Sequence, residues 1–293
     1  MNGILIVDKP AGWTSHDVVG KLRHVFGEKR VGHGGTLDPI ATGVLPVFIG
    51  RATRAVVFCE NAEKEYLAVF RTGLVTDTQD ITGRTLGESD RKVSEEDILA
   101  VLPSFTGTIR QIPPMYSAVK IDGKKLYELA RRGIETEREA RMVTIASLTL
   151  EGWDGRDAQL RVVCSKGTYI RTLCHDIGAA LGCGGCMAGL RRTRAGRFSL
   201  ADSVSMDDIL AAAEKGTAGS LLRPVDSLFD CPEIVVTGEN RKRCLNGREF
   251  PAGDLADGLY RVYDATGAFL LLGRCTDGTV KTVRSFFEVG DGK

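Results

Sequence analysis

Asp38 stands in the stretch GHGGTLDPIATG, residues 32–43, beside one histidine and four glycines. Pro39 disfavours the α region for the residue before it, so Asp38 is pushed into an extended conformation from which its carboxylate can project. Gly32, Gly34 and Gly35 remove side-chain bulk just upstream, where the backbone of a polyanion could approach closely. Such a loop could present one acid to a large substrate. On spacing alone a second reading stands beside it: Asp38 initiates a turn or caps the segment after Pro39, and His33 is a surface or capping histidine. The stretch contains neither GxxxxGK[ST] nor GxGxxG, so no mononucleotide or dinucleotide phosphate loop is present there.

Three basic clusters could meet phosphates. RRTRAGR carries Arg191, Arg192, Arg194 and Arg197 without an acid. Between residues 120 and 132, Lys120, Lys124, Lys125, Arg131 and Arg132 outnumber Asp122 and Glu128, with Tyr127 interleaved. RKRCLNGR, residues 241–248, is the third. Contact with an RNA backbone is one use for such runs, and a solvated face is the other. CHDIGAALGCGGC offers His175, Cys183 and Cys186, with Cys174 adjacent, but it holds one CxxC pair where a structural zinc site needs a second. Small-residue packing is the expectation there, and no metal.

The elements that must position these groups follow from periodicity. GILIVDKP reads as an opening strand stopped by Pro10, and SHDVVGKLRHVF as a helix with Val18, Leu22, Val25 and Phe26 on one face. VLPVFIG is strand-like, RATRAVVFCENA helical, and KEYLAVFRTG a half-buried strand. Ser94 and Asp97 start a helix that Pro103 ends. FTGTIRQIPPMYSAVKIDG is strand-like but broken by Pro113 and Pro114, and KKLYELARR is a short helix. RMVTIASLTLEG and AQLRVVCSKG are strands before a helix near TYIRTLCHDIGAAL. Without regular βαβ alternation this predicts an α+β core in preference to a doubly wound parallel sheet. Beyond residue 230 the texture turns to short Gly-rich segments, with strands expected near 258–263, 268–274, 279–283 and 285–289, enough for a small barrel.

Composition sets broad limits. At 293 residues and 43% apolar content the chain can bury a sizeable core. Lys and Arg total 39 against 38 Asp and Glu, so nucleic-acid binding must come from local clusters. The first residues lack the basic region and apolar run of a signal peptide, and no run is long enough to span a membrane, which predicts a cytoplasmic protein. Eight irregularly spaced cysteines are expected to be free thiols.

The loop and its neighbours together resemble the TruB family of tRNA pseudouridine synthases. GHGGTLDPIATGVLPVFIGRATR is similar to that family's active-site motif, GILIVDKPAGWTSHDVV to its first motif, KEYLAVFRTGLVTDTQDITG to its tyrosine motif, IPPMYSAVKIDGKKLYELARRG to its RNA-gripping thumb, and CSKGTYIRTLCHDIGAALG to its arginine motif. The resemblance covers about residues 1–230, and the remainder resembles a PUA-type barrel.

It implies a mixed, largely antiparallel sheet with flanking helices over 1–230, a thumb over about 112–141, and a PUA-like RNA-binding domain over 231–293. The activity implied is isomerisation of uridine to pseudouridine at position 55 in the tRNA T loop, by base flipping, with tRNA folding as an additional role. Asp38 would be catalytic, Tyr66 would pack on the base and assist proton transfer, and Arg171 would pair with Asp38. His33 would fill space left by extruded bases, Asp80 would bond the target's edge, and Tyr169 and Leu190 would line the pocket. Lys120, Lys124, Arg131, Arg132, Arg191 and Arg192 would meet the RNA backbone. The resemblance implies no cofactor, metal, guide RNA, obligatory protein partner or membrane, and a monomer that meets the T arm and, through its C-terminal domain, the acceptor arm. Pseudouridine formation exchanges a glycosidic N–C bond for a C–C bond without redox change, so one nucleophile or electrostatic stabiliser and one base suffice. Attack by Asp38 and elimination through a glycal both remain open at this level.

Overall fold

Ten strands form the main sheet of a computed structural model, which describes residues 1–121 and 123–287. Along the sheet the order is Val204–Ser205, Gly3–Lys9, Thr42–Ile49, Gly185–Ala195, Lys64–Thr72, Asp157–Cys164, Arg141–Trp153 and Gly107–Gln111. Val31–His33 pairs beside Thr42–Ile49, and Phe198–Ser199 beside Gly185–Ala195. Pairing is antiparallel except where Gly3–Lys9 meets Val204–Ser205 and where Gly185–Ala195 meets Thr42–Ile49. The α+β expectation therefore holds.

The opening strand shows why. GILIVDK is buried almost throughout because both of its faces are covered. Leu5 and Val7 face a cluster with Val18, Leu22, Ile170, Leu173, Ile177 and Ile209, contributed by the helices Ser15–Phe26, Ile170–Ala180 and Met206–Glu214. Ile4 and Ile6 face the opposite way, against Val44, Phe48, Ala195, Leu272 and Phe286. Helix Ser15–Phe26 starts at a reciprocal capping box between Thr14 and Asp17 and stops at Gly27, whose φ of 59° suits a left-handed cap.

Sequence periodicity gave no hint of Gly185–Ala195 as a strand, yet it lies at the centre of the sheet. Its run RRTRA reads as a charged surface, but two register shifts against Lys64–Thr72 re-aim its side chains along the way. Gly43 lets the strand close onto Thr42–Ile49: a Cβ there would stand 2.2 Å from the Arg192 carbonyl oxygen. The Gly- and Cys-rich stretch is small-residue packing as expected, since a Cβ on Gly178 would lie 2.4 Å from the Gly185 nitrogen. The segment RATRAVVFCENA splits into a 3-10 turn, Gly50–Ala55, and a short helix, Val56–Glu60.

A second, five-stranded sheet runs Glu233–Val236, Gly258–Asp264, Phe269–Thr276, Thr279–Ser285 and Phe250–Pro251. It curls as a half-barrel around Val236, Phe250, Val262, Leu271 and Val280. Three of the expected strands are present. The fourth, expected over 285–289, is not: Thr279–Ser285 runs on to Ser285, Phe286 and Phe287 lie outside any strand, and residues 288–289 fall outside the described residues. Glu233–Val236 fills that role instead, parallel to Gly258–Asp264.

Candidate active site

Asp38 and Arg171 make a two-point ion pair. Arg171 Nε stands 2.9 Å from Asp38 Oδ2, and Nη2 donates to Oδ1 at 3.2 Å. The arginine side chain is 5% exposed and the aspartate's 36%, so the fork grips the carboxylate from inside while its outer side stays open to solvent. Two further hydrogen bonds and one longer ionic contact fix the guanidinium. Nη1 donates to the Thr78 carbonyl at 3.1 Å, Nη2 to the Tyr116 carbonyl at 2.8 Å, and Nε lies 3.9 Å from Asp80 Oδ2. A guanidinium anchored from several sides holds a carboxylate in one direction, which a lysine's point charge cannot do.

The loop that carries Asp38 is held by residues of the opening segment. Ser15 Oγ accepts the Leu37 N–H at 2.9 Å and donates to the Leu37 carbonyl at 3.2 Å. Lys9, fully buried, donates to the carbonyls of Pro10, Trp13 and Pro39. Burial drives its pKa down to about 8, against the attraction of Asp38, which pulls the other way. Neither residue stands out by type: Lys9 follows Asp8 after the apolar run ILIV, where a charged pair reads as the polar end of a strand.

Tyr66 lies on the helix-covered face of Lys64–Thr72, 8% exposed. Burial pushes its hydroxyl up from the usual range, and the positive charge of Arg192 counters that. Leu190 pairs with Ala68 and Arg192 with Tyr66 across the neighbouring strand, which places Leu190 two residues along the same face. His33 closes the other flank. Burial, reinforced by His16 and Arg192, lowers its pKa to about 4, which keeps the ring neutral at pH 7. Its ring meets His16 edge to face with centroids 5.7 Å apart, and its Nδ1 is buried without a hydrogen-bond partner among the described residues.

Asp80 is buried and much of its bonding capacity is already used. Its Oδ1 accepts from the Thr78 hydroxyl at 2.9 Å and from the Thr82 N–H at 2.9 Å, while Oδ2 faces Arg171. Tyr169 caps the helix that carries Arg171, with both of its backbone polar groups bonded to the side chain of Gln111.

The expected RNA-backbone residues divide. Lys120, Lys124, Arg131 and Arg132 are exposed, and Arg131 and Lys125 lie over the Tyr127 ring at 5.3 and 5.4 Å. Arg191 is half-exposed in an ion pair with Asp8 at 2.8 Å. Arg192 is a correction: it is 1% exposed, and its guanidinium donates to the Val44 carbonyl at 2.6 Å and the Gly35 carbonyl at 3.2 Å. It serves the interior, not a phosphate. In the tail, Arg241 is tied to Asp264 at 3.2 Å and Arg243 lies 3.9 Å from Glu239, while Lys242, Arg243 and Arg248 are the exposed cations of that run. Cys183 donates its thiol to the Gly178 and Gly184 carbonyls, and burial raises the Cys186 thiol to about 11. Among the described residues no group of three or more His, Cys, Asp or Glu side chains is disposed to hold a metal, and no helix is long and apolar enough to cross a membrane.

A buried cation aiming a half-open carboxylate, with a tyrosine on the sheet beside it and a neutral imidazole at the flank, can stabilise charge and move a proton at one position of a large substrate. Known proteins carry a similar sequence. The chain is 41% identical to tRNA pseudouridine synthase B of Clostridium kluyveri, over 98% of this chain and 100% of that one. It is 45% identical to tRNA pseudouridine synthase B of Moorella thermoacetica, over 94% and 95%. Among solved structures it matches one described as a Cbf5-Nop10-Gar1 complex at 28% identity and a TM-score of 0.73, covering 97% of this chain and 85% of that one. Family models described as the TruB family pseudouridylate synthase N-terminal domain, the tRNA pseudouridylate synthase B C-terminal domain and the pseudouridine synthase II TruB C-terminal region match residues 23–170, 171–230 and 232–285. The chain belongs to the TruB family of pseudouridine synthases.

Proposed function

We propose that this enzyme isomerises uridine to pseudouridine in tRNA, at position 55 of the T loop. The observation that carries the reading is the two-point pair between Asp38 and the buried, anchored Arg171. The target base lies in a folded loop and must be extruded, at a cost of a few kcal/mol in lost stacking. The neutral His33 ring, buried on its inner side, offers a surface to occupy the vacated space. The thumb over 112–141, with Lys120, Lys124, Arg131 and Arg132 outward, grips the T arm, and the domain over 231–293 reaches the acceptor arm.

In the pocket the Asp38 carboxylate acts at the glycosidic bond. The N1–C1′ bond breaks, the base turns, C5 bonds to C1′, and the C5 proton leaves while N1 gains one. Atoms and charge balance without a redox partner. Tyr66 is the group placed to take or relay that proton, and Tyr169 and Leu190 bound the ring. Asp80 supports this by holding Arg171, and its Oδ2 is the oxygen left to meet the base edge. The protein works in the cytoplasm as a monomer, without guide RNA or metal, and tRNA folding is a second consequence of the same grip.

The test is release of tritium from C5 of uridine in an unmodified tRNA transcript, with no other protein or RNA and with a chelator present. Asp38→Asn should bind the transcript as the wild type does and release nothing. Release by Asp38→Asn at a near wild-type rate would remove the carboxylate from the chemistry, and a requirement for a second RNA would move the protein to the guide-dependent class.

A further inference from the structure

We infer that the root of the thumb sets the position of Arg171, and that Gln111 is the positioning residue through which it does so. The inference rests on the reading that Arg171 aims Asp38 and that the thumb meets RNA.

Gln111 ends the edge strand Gly107–Gln111 and is 2% exposed. Its side-chain amide behaves like a short piece of β-strand laid against Tyr169. Oε1 accepts the Tyr169 N–H at 2.8 Å, and Nε2 donates to the Tyr169 carbonyl at 3.0 Å. Tyr169 is the capping residue of the helix Ile170–Ala180 and makes no side-chain cap of its own, so its extended backbone is fixed from outside by this one side chain. Arg171 follows two residues later. Any rotation of the Tyr169 backbone swings the guanidinium.

The same short segment returns to hold the other end of that arginine. Five residues after Gln111, the Tyr116 carbonyl accepts from Arg171 Nη2 at 2.8 Å. Pro113, Pro114 and Met115 between them are buried, and two consecutive prolines fix φ and leave little slack. Residues 111–116 therefore form a stiff clamp on both the backbone before Arg171 and its head group. Beyond the clamp the chain passes into Lys120, Lys124, Arg131 and Arg132, all exposed. The Ser117 hydroxyl, at the junction, is buried without a hydrogen-bond partner among the described residues. RNA seated on the thumb thus bears on the clamp, and through it on the direction of the Asp38 carboxylate.

Gln111→Glu in the full-length chain tests this, because a glutamate is isosteric but, when ionised, cannot donate to the Tyr169 carbonyl. Its burial against a carbonyl favours the protonated form, which restores both bonds. Tritium release is measured in single turnover on a saturating T-arm stem-loop between pH 8 and pH 5.5, each rate divided by that of the wild type at the same pH. Stem-loop affinity is measured alongside. At pH 8 the Gln111→Glu rate should fall about 10- to 100-fold with affinity within about twofold, and the ratio should recover as the pH falls. Gln111→Met, which can neither donate nor accept, should be slow at every pH. Wild-type rates in both variants would overturn the inference. So would a loss that ignores pH and follows a fall in melting temperature, or one in which affinity and rate fall together. If the wild type itself releases no tritium from the stem-loop, the function proposed above fails and this inference fails with it.

Discussion

Arg192 stands directly opposite Tyr66 on neighbouring antiparallel strands, and its guanidinium is turned into the protein. From there it donates to the Val44 carbonyl and to the Gly35 carbonyl, three residues before Asp38. One buried cation therefore braces the sheet under the tyrosine and the loop that presents the aspartate. Its charge also offsets the effect of burial on the tyrosine hydroxyl, which favours a phenol able to share its proton.

Arg192→Ala should accordingly behave as a core substitution. Two buried carbonyls would lose their donor, at about 1–3 kcal/mol each where no water replaces it. A lowered denaturation midpoint, with the salt dependence of tRNA binding unchanged, is the expected result. A variant as stable as the wild type but with a reduced salt slope would return Arg192 to the RNA surface.

The exposed cations of the thumb should do the reverse. Lys124→Ala and Arg131→Ala should leave stability within about 0.5 kcal/mol and reduce the slope of log affinity against log salt by about one each. Titrations of the stem-loop at several salt concentrations give both numbers.

These contrasts show what could be read along the chain and what could not. The helix Ser15–Phe26 and the strand Lys64–Thr72 follow from 3.6- and 2-residue periodicity, because each buries one regular face. Gly185–Ala195 does not, since a central strand with two register shifts and four arginine and threonine residues in a row has no alternation to detect. In the candidate site, Asp38 is marked by its proline and glycines. Arg171 and Tyr66 carry no local signal, since nothing in a helix start or a half-buried strand says that it lies beside a carboxylate distant in sequence, 133 residues away in the case of Arg171. Family motifs supplied them. Lys9, Ser15 and Gln111 went unseen because their work is to bond backbone carbonyls and N–H groups, which no side-chain pattern advertises.

His33 makes the protein acid-sensitive in a defined window. Folded, its pKa lies at about 4, while the unfolded chain takes up the proton near 6.5. The unfolded state thus binds more protons between those values, and stability falls as pH drops from about 6.5 to about 4. The contribution is up to about 2 kcal/mol once partial exposure is allowed for. In His33→Phe that portion of the pH dependence should vanish while the carboxylate portion remains. Denaturant midpoints at pH 7 and pH 4.5 for both proteins give the comparison, and equal losses would mean that the ring is protonated in the folded state.

Removing residues 231–293 should cost more than RNA affinity. Phe229 packs edge to face on Phe58 at 5.2 Å and meets Phe286 and Phe269 at 6.0 and 6.2 Å, and these last two stack at 5.2 Å. Arg54 donates to the Ser285 carbonyl at 3.0 Å, Arg51 donates to the Phe287 carbonyl, and the Tyr263 hydroxyl donates to Asp226. Truncation would strip this cover and expose Phe58 and Phe229 along with the face behind Ile4, Ile6 and Phe48, a contiguous apolar patch of the kind that drives aggregation. The shortened chain should melt well below the full one and lose activity on stem-loop and whole tRNA alike. The RNA contacts of this domain are better tested with Lys242→Glu and Arg248→Glu, which lie outside the aromatic seam. Those variants should keep the wild-type melting temperature and stem-loop kinetics while weakening whole-tRNA binding, more so at low salt. A truncated chain that melts with the wild type would show that the seam adds nothing to the catalytic core.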